Sequence, residues 1–266
     1  MAGFIDLSST FSRSRPTFDQ PSNDNRAIIW LDIDNTLYAK STQIHILMQE
    51  RIRAYFQTLG LDPKEAEKLH KTYYSQYGLA IRGLVKHHDI NALDYDRVCD
   101  ASLPLETILS RDDRLRQLLS DIDPSKARIL ALTNAYKTHA SRVLEILGVI
   151  DLIEGLVFCD YGRPDQDFGC KPEPSFFQEA IEYALPNHSS PEAIKHYFVD
   201  DSLLNVKAAV QLGWQAVHFK EPNEWDTDHD RISQTDIKLQ DGHVETVSVV
   251  ENLKDLRVVW KELFKA

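Results

Sequence analysis

The feature that most constrains the fold is a pair of aspartates, Asp32 and Asp34, directly after the apolar run 27–31. The run contains no glycine or proline and is rich in branched and aromatic side chains, which is typical of a buried parallel strand. Open α/β sheets bind ligands beyond the carboxyl ends of their strands. Two carboxylates there repel each other unless a cation or a shared proton compensates. The pair therefore indicates a divalent metal site, although an isolated D-x-D is more often a turn.

Three further polar signals follow in order along the chain. Two more apolar runs predict buried strands that end in polar side chains, and a lysine opens a helical segment between them. The residues concerned are Thr133 and Asn134 after the second strand, Lys171 before the helix, and Asp200 and Asp201 after the third strand. Each signal alone is also explained by a strand cap, a solvated lysine or a turn. As an ordered set at strand ends, they predict one chemical site.

The chemistry that fits this set is phosphoryl transfer through a covalent aspartyl phosphate. Asp32, at the tip of the first strand, would attack phosphorus directly, because a carboxylate nucleophile needs no separate base to activate it. Asp34 would protonate the poor alkoxide leaving group of a phosphomonoester, and would later take a proton from the attacking water. The residues themselves therefore predict a phosphomonoesterase.

Charge on the transferring phosphoryl group must be neutralised from two sides. On one side we expect Mg²⁺, held by carboxylates and by one main-chain carbonyl, that of Asp34. On the other side we expect the Thr133 hydroxyl, nearby main-chain N–H groups and the Lys171 ammonium. The predicted metal ligands are Asp32, Asp34, Asp200 and Asp201. The predicted catalytic residues are Asp32, Asp34, Thr133, Asn134 and Lys171.

Four ordered motifs resemble the signature motifs of the haloacid dehalogenase superfamily, over about residues 28–219. They are D-x-D-x-T at Asp32, Asp34 and Thr36, then Thr133, Lys171-Pro172 and Asp200-Asp201-Ser202. The resemblance implies an α/β fold with a Rossmann-like core, in which helices flank a parallel sheet. It also implies a Mg²⁺ requirement and, in most members, phosphatase activity.

The resemblance also bears on individual residues. In families with an acidic pair at the last motif, the second aspartate usually contacts the metal, which favours Asp201 as ligand and leaves Asp200 to act directly or through water. Asn205 stands where many relatives carry another aspartate, so we expect a less acidic outer metal site. Members that remove halide lack an acid at the position of Asp34, so its presence implies a phosphate ester or a mutase.

The stretch between the first two motifs predicts a second structural unit. Residues 41–121 have helical spacing of apolar side chains, and Asp62, Pro63 and Glu65 predict a capped helix start. The superfamily places a mobile cap at this point, which excludes water and supplies substrate contacts when it closes. The predicted organisation is a disordered tail at 1–25, a catalytic core at 26–40 and 122–266, and a small all-helical cap at 41–121.

One cap segment bears on the substrate. Tyrosines between residues 73 and 77 could stack on a flat ring, and Arg82 could meet a phosphate or a base carbonyl. A helix whose tyrosines are core or surface side chains, with a solvated Arg82, explains them equally well. The sequences DIDNTLY at 32–38 and YGLAIRGL at 77–84 are similar to the pyrimidine 5′-nucleotidase subgroup of fungi and plants. That resemblance implies hydrolysis of UMP and CMP. The predicted substrate contacts are Arg82, Tyr77 and Tyr38.

Two alternatives remain open at the level of sequence. The protein could be a phosphatase or mutase for another small metabolite, such as a sugar phosphate or lysophosphatidate. It could also be a non-catalytic regulatory protein on the same fold, which the four intact motifs disfavour.

Composition limits the partners. A net charge of −11 argues against a nucleic-acid polymer, because proteins that bind one usually carry a basic footprint. The three cysteines have no zinc-like spacing, so a reducing cytoplasm, or also the nucleus, is expected. No stretch approaches the ~20 apolar residues of a membrane span, so we expect no membrane partner. The oligomeric state is left open.

Overall fold

A computed structural model of the chain describes residues 1–7, 24–163, 165, 167–221 and 232–266. Its strands form one mixed sheet flanked by helices. The strands are β1 (Ala2–Asp6), β2 (Ala27–Leu31), β3 (Ala127–Leu132), β4 (Gly155–Cys159), β5 (His196–Asp200), β6 (Gln215–Phe219), β7 (Ile232–Lys238) and β8 (Val244–Val250). Their order across the sheet is β1-β4-β3-β2-β5-β6-β8-β7.

Ten α-helices lie in the described part of the chain. They are α1 (Ile44–Thr58), α2 (Pro63–Tyr77), α3 (Ala80–His87), α4 (Ala92–Val98), α5 (Leu105–Ile108), α6 (Asp113–Ser120), α7 (Lys137–Ile146), α8 (Pro174–Ala184), α9 (Leu203–Gln211) and α10 (Leu256–Val259). Within those described residues, no helix combines the length and the apolar character needed to cross a bilayer.

Strand β2 lies at the point where the chain order of the sheet reverses. It runs parallel to β3 on one side and to β5 on the other. The side chains of Ile28, Ile29 and Trp30 are fully buried, as expected for a central parallel strand covered on both faces. In open α/β sheets the ligand crevice opens at such a reversal, beyond the carboxyl ends of the strands. The strand that carries the aspartate pair is therefore the one that leads into the crevice.

The α/β fold with a parallel sheet flanked by helices is confirmed, with two antiparallel edges that the sequence did not predict. Strands β4, β3, β2, β5, β6 and β8 are parallel to their neighbours in that series. At one edge β1 pairs antiparallel with β4, and at the other β7 pairs antiparallel with β8.

The predicted disordered tail at 1–25 is wrong for Ala2–Asp6, which forms β1. Gly3 lies opposite Phe158 of β4, and a Cβ atom at Gly3 would sit 2.3 Å from the Phe158 ring, so only glycine fits there. The Phe4 ring stacks on Tyr183 of α8 at 5.3 Å between centroids. These contacts attach the strand to the sheet. Residues 8–23 of the predicted tail lie outside the described residues.

The helices between the first two motifs form two groups by their packing. Helices α1 to α4 pack against one another, whereas α5 packs against α7 and α6 packs against residues 253–255. The predicted cap, residues 41–121, therefore includes two helices, α5 and α6, that pack against the core. Helix α2 begins as predicted, because the Asp62 side chain accepts hydrogen bonds from the N–H groups of Lys64 and Glu65.

Candidate active site

The Lys171 ammonium joins the ends of three parallel strands. Its Nζ atom donates to Asp32 Oδ1 at 2.7 Å, to Asp200 Oδ2 at 2.7 Å and to the Leu132 carbonyl at 2.6 Å. Lys171 is 1% exposed, and each of its three ammonium hydrogens has an acceptor. Burial alone would lower the pKa of Lys171, but the two carboxylates outweigh it and raise that pKa. The buried ammonium therefore stays charged.

Asp32 is held at both of its carboxylate oxygens. Oδ1 accepts from Lys171, and Oδ2 accepts from the Thr36 hydroxyl at 2.7 Å. Burial, followed by the negative charge of Asp200, raises the pKa of Asp32 well above its usual range, and Lys171 offsets only part of this. A further cation close to Asp32 would favour its charged form.

Asp200 and Asp201 are fixed by the turn that follows β5. Asp200 Oδ1 accepts from the Ser202 N–H at 2.8 Å and from Asn205 Nδ2 at 3.0 Å. The Asp201 N–H donates to the Thr36 hydroxyl oxygen at 3.1 Å. Thr36 thus connects the first and last motifs, and Asn205 supplies a hydrogen-bond donor to Asp200 at the position where an aspartate was expected in relatives.

The carboxylates of Asp32, Asp200 and Asp201 have the composition and spacing of a Mg²⁺ site. One oxygen from each lies within 4.8 Å of the other two, and among the described residues they are the only such group. Burial and the charge of Asp200 raise the pKa of Asp201 to about 6. Mg²⁺ prefers oxygen ligands, and a divalent cation would offset the repulsion among these acids. The residues therefore fit the ion.

The Asp34 side chain is hydrogen-bonded to residues other than Lys171 and the three metal-site aspartates. Its Oδ1 atom accepts from the Tyr38 hydroxyl at 2.7 Å and from His139 Nε2 at 2.7 Å. Burial alone would raise the pKa of Asp34, but His139 and then Tyr38 outweigh it and lower that pKa. The carboxylate of Asp34 is outside the group that fits a metal, so a ligand role for Asp34 would fall to its main-chain carbonyl.

Thr133 and Asn134 lie beside Lys171, but they contact different parts of the site. The Thr133 hydroxyl oxygen accepts from the Ala135 N–H at 3.0 Å, which leaves its hydrogen to donate. Asn134 contacts the main chain of Lys171: its Oδ1 accepts from the Lys171 N–H, and its Nδ2 donates to the Lys171 carbonyl. Asn134 therefore positions the lysine.

The predicted cap contacts Arg82 and Tyr77 are bonded to protein groups. Arg82 Nη1 donates to Glu173 Oε1 at 2.6 Å, to the Tyr77 carbonyl at 2.7 Å and to Cys170 Sγ at 3.4 Å. The Tyr77 hydroxyl pairs with His87 Nε2 at 2.6 Å. Arg82 is therefore next to the segment that carries Lys171, whereas the Tyr77 hydroxyl is bonded to a side chain of the neighbouring helix α3.

Another cap tyrosine, Tyr74 on α2, lies within electrostatic reach of the acidic group. Its side chain is 62% exposed overall. The surrounding protein desolvates the hydroxyl, and the charges of Asp201 and Asp200 raise the pKa of Tyr74 further. Tyr74 is thus an accessible aromatic side chain of α2 whose hydroxyl is influenced by the charges of Asp201 and Asp200.

Sequence reasoning missed His139. It is the third residue of α7, the helix that begins just after Thr133 and Asn134, and it is 1% exposed. The available signal was its position: the first turn of a helix that follows a strand end lies at the same edge of the sheet.

The chain matches known proteins along most of its length. A family model for haloacid dehalogenase-like hydrolases matches residues 27–213. Phosphate metabolism protein 8 of Saccharomyces cerevisiae is 35% identical over 253 residues, which cover 90% of this chain and 77% of that protein. A solved structure of a putative beta-phosphoglucomutase from Thermotoga maritima is 13% identical, with a TM-score of 0.51, over 90% of this chain and 100% of that chain, a likeness that concerns the fold alone. The chain belongs to the haloacid dehalogenase-like hydrolase family.

Proposed function

We propose that the protein is a Mg²⁺-dependent phosphomonoesterase that forms a phosphate ester on Asp32, and that its substrates are UMP and CMP. The observation that carries the catalytic part is the contact of one buried ammonium, that of Lys171, with both Asp32 and Asp200. This contact supplies fixed positive charge beside the proposed nucleophile.

In the first step, a carboxylate oxygen of Asp32 forms a bond to phosphorus, and the bond from phosphorus to the leaving oxygen breaks. Asp34 gives its proton to that oxygen, so the nucleoside leaves as an alcohol. In the second step, water attacks phosphorus, Asp34 takes a proton from the water, and the bond from Asp32 to phosphorus breaks. Inorganic phosphate and the free carboxylate result.

The lowered pKa of Asp34 in the substrate-free protein suits the second step directly. In the first step, a dianionic phosphate close to Asp34 raises the pKa of that carboxyl, because like charges disfavour the ionised form. One residue can therefore serve as acid and then as base.

On one side, the Thr133 hydroxyl would donate to a phosphoryl oxygen and help keep the group in line with Asp32, while the buried Lys171 ammonium would supply positive charge from behind the Asp32 carboxylate. On the other side, Asp32, Asp200 and Asp201 would hold Mg²⁺, which supplies positive charge to the same oxygens. The main-chain carbonyl of Asp34 completes the proposed ligand set.

The substrate part of the proposal is supported by the two segments that resemble pyrimidine 5′-nucleotidases, 32–38 and 77–84. An accessible aromatic ring on the cap, Tyr74, is suited to stack on a base. Because Arg82 and Tyr77 have protein partners, Tyr74 is the cap residue from which we expect the base contact, with Tyr38 beside Asp34 at the phosphate end.

The proposed setting follows from composition. The three cysteines are buried and unpaired in the structure, and we place the enzyme in the cytoplasm, or also in the nucleus, in nucleotide metabolism. We propose that its partner is a small phosphorylated molecule, and that it binds neither a nucleic-acid polymer nor a membrane.

The test is release of phosphate from UMP, CMP, AMP, GMP, glucose 6-phosphate and lysophosphatidate, each with Mg²⁺ and with chelator, for the native protein and for Asp32→Asn. We expect Mg²⁺-dependent turnover of UMP and CMP that Asp32→Asn abolishes. Turnover of a sugar phosphate or lysophosphatidate instead would contradict the assignment of UMP and CMP as substrates, but would leave the proposed catalytic mechanism in place. Equal turnover by Asp32→Asn and by the native protein would contradict the assignment of Asp32 as the nucleophile.

A further inference from the structure

We infer that His139 is a positioning residue, which together with Tyr38 fixes Asp34 so that its Oδ2 atom faces the leaving group. This inference rests on the proposed role of Asp34 as the acid. Its basis is an asymmetry: both donors bind the same oxygen, Oδ1, each at 2.7 Å. Oδ2 has no hydrogen-bond partner among the described residues, and the Asp34 side chain is 31% exposed.

The asymmetry determines where a proton can reside. A carboxylate oxygen has two lone-pair sites, and at Oδ1 both are taken by the Tyr38 hydroxyl and the His139 ring. A proton on Asp34 is therefore carried by Oδ2, the oxygen left open. During attack by Asp32 on phosphorus, that proton passes from Oδ2 to the leaving oxygen as the phosphorus–oxygen bond breaks.

The two donors restrain Asp34 from different elements. Tyr38 lies four residues after Asp34 in the same loop, so its bond moves with that loop. His139 belongs to α7, whose residues Ala140, Val143 and Leu144 are fully buried. The His139 bond therefore ties the carboxylate to the packed core. Because the ring is buried, it is enclosed on all sides and cannot swing away without disturbing that packing.

If His139 positions Asp34 for proton delivery, its loss should affect mainly those substrates whose leaving group needs a proton. A poor leaving group needs a proton as its bond breaks, whereas p-nitrophenolate leaves readily without one. Loss of the His139 donor should therefore slow phenyl phosphate much more than p-nitrophenyl phosphate. The quantity to compare is kcat/KM, because it includes only the steps up to release of the leaving group.

The experiment measures kcat/KM for both aryl phosphates with Mg²⁺. The native protein is compared with three variants: His139→Phe, which removes the donor; His139→Gln, which retains an N–H donor; and His196→Phe as the matched control. His196 is also buried, but it begins β5 at the opposite end of that strand from Asp200. We expect His139→Phe to lower kcat/KM for phenyl phosphate by about a hundredfold, with less than a fivefold loss for p-nitrophenyl phosphate. His139→Gln should recover most of the difference, and the control should leave the ratio of the two substrates unchanged.

Equal losses on both substrates would mean that His139 only supports the fold, and would overturn the inference. Failure of the proposed phosphomonoesterase chemistry has a different signature, since the native protein would then hydrolyse neither the aryl phosphates nor any ester of the panel above. If His139→Phe does not fold, Tyr38→Phe removes the other donor to the same oxygen and must show the same selective loss.

Discussion

Asn134 forms two hydrogen bonds to the main chain of Lys171. Its Oδ1 atom accepts from the lysine N–H at 2.7 Å, and its Nδ2 atom donates to the lysine carbonyl at 2.9 Å. The loop after β3 thereby fixes the backbone from which the Lys171 side chain extends. In the proposed reaction, the amide would therefore act through Lys171 rather than by touching the phosphate.

Asn134→Ala should lower kcat by about a hundredfold with a smaller change in KM, because a displacement of about 1 Å in a catalytic group has that effect. Steady-state kinetics with the best substrate of the panel would measure this. Asn252→Ala is the matched control, since Asn252 also bonds a main-chain N–H, that of Lys254, near the C-terminus. A loss of activity in both variants would point to general destabilisation.

Mg²⁺ alone should stabilise the protein, and Asp201→Asn should remove this effect. At a hundred times its dissociation constant, a ligand adds about 2.7 kcal/mol to the free energy of unfolding. Burial and Asp200 raise the pKa of Asp201 to about 6, so protons compete with the ion below that pH. The stabilisation should therefore be larger at pH 7.5 than at pH 5.

Thermal unfolding with Mg²⁺ and with chelator, at both pH values, would measure this effect. Asp165→Asn is the control for removal of an exposed carboxylate outside the site. An equal response to Mg²⁺ in Asp201→Asn and in the native protein would contradict the assignment of Asp201 as a ligand.

Tyr74→Ala should raise KM for UMP by about fivefold, because a stacked aromatic pair contributes roughly 1 kcal/mol. Tyr77→Ala should have a smaller effect, since the Tyr77 hydroxyl is bonded to His87. Ribose 5-phosphate, which has no base, is the control substrate, and its KM should not depend on residue 74. A larger rise in KM for Tyr77→Ala than for Tyr74→Ala would instead support Tyr77 as the substrate contact, as predicted from the sequence.

Asp100 should make the protein less stable as the pH rises. Burial, with Asp96 and Asp34 adding to it and His139 opposing it, raises the pKa of Asp100 from 3.8 to about 7. Between these values the folded protein holds a proton that the unfolded chain has lost, so the free energy of unfolding falls with rising pH. Asp100→Asn has no proton to lose, so relative to the native protein it should gain stability across this window.

Urea unfolding at pH 4.5 and at pH 8 would measure the gain, which has a ceiling of about 4 kcal/mol at roughly 1.4 kcal/mol per pKa unit. Asp113→Asn, at an exposed position on α6, controls for the loss of one carboxylate. A difference between Asp100→Asn and native protein that does not vary with pH would show that Asp100 is ionised in the folded state.

The meeting of Asp32, Lys171 and Asp200 could be predicted because parallel strands share one carboxyl edge. Asp32 and Asp200 each follow an apolar run, Lys171 precedes a helical segment, and the strand order then brings the three together. The pairing of His139 with Asp34 could not be predicted in this way. The two residues are 105 positions apart, and their contact depends on how α7 is rotated about its axis.

The same limit applies to β1 and to Arg82. Five residues that include a glycine beside a polar segment give no strand signal, and their pairing depends on how Gly3 fits against the Phe158 ring. The sequence predicts that Arg82 contacts a phosphate or a base carbonyl, whereas its observed partner is the Glu173 carboxylate, 91 positions away. Sequence patterns indicate what a side chain can bind, and packing selects the partner.

Arg82 contacts the chain on both sides of Lys171, through Cys170 Sγ and through Glu173 Oε1. Helix α3 and the Lys171 backbone are therefore linked by a span of three residues, 171–173. A displacement of α3 must either break the ion pair or pull on the backbone that holds the lysine.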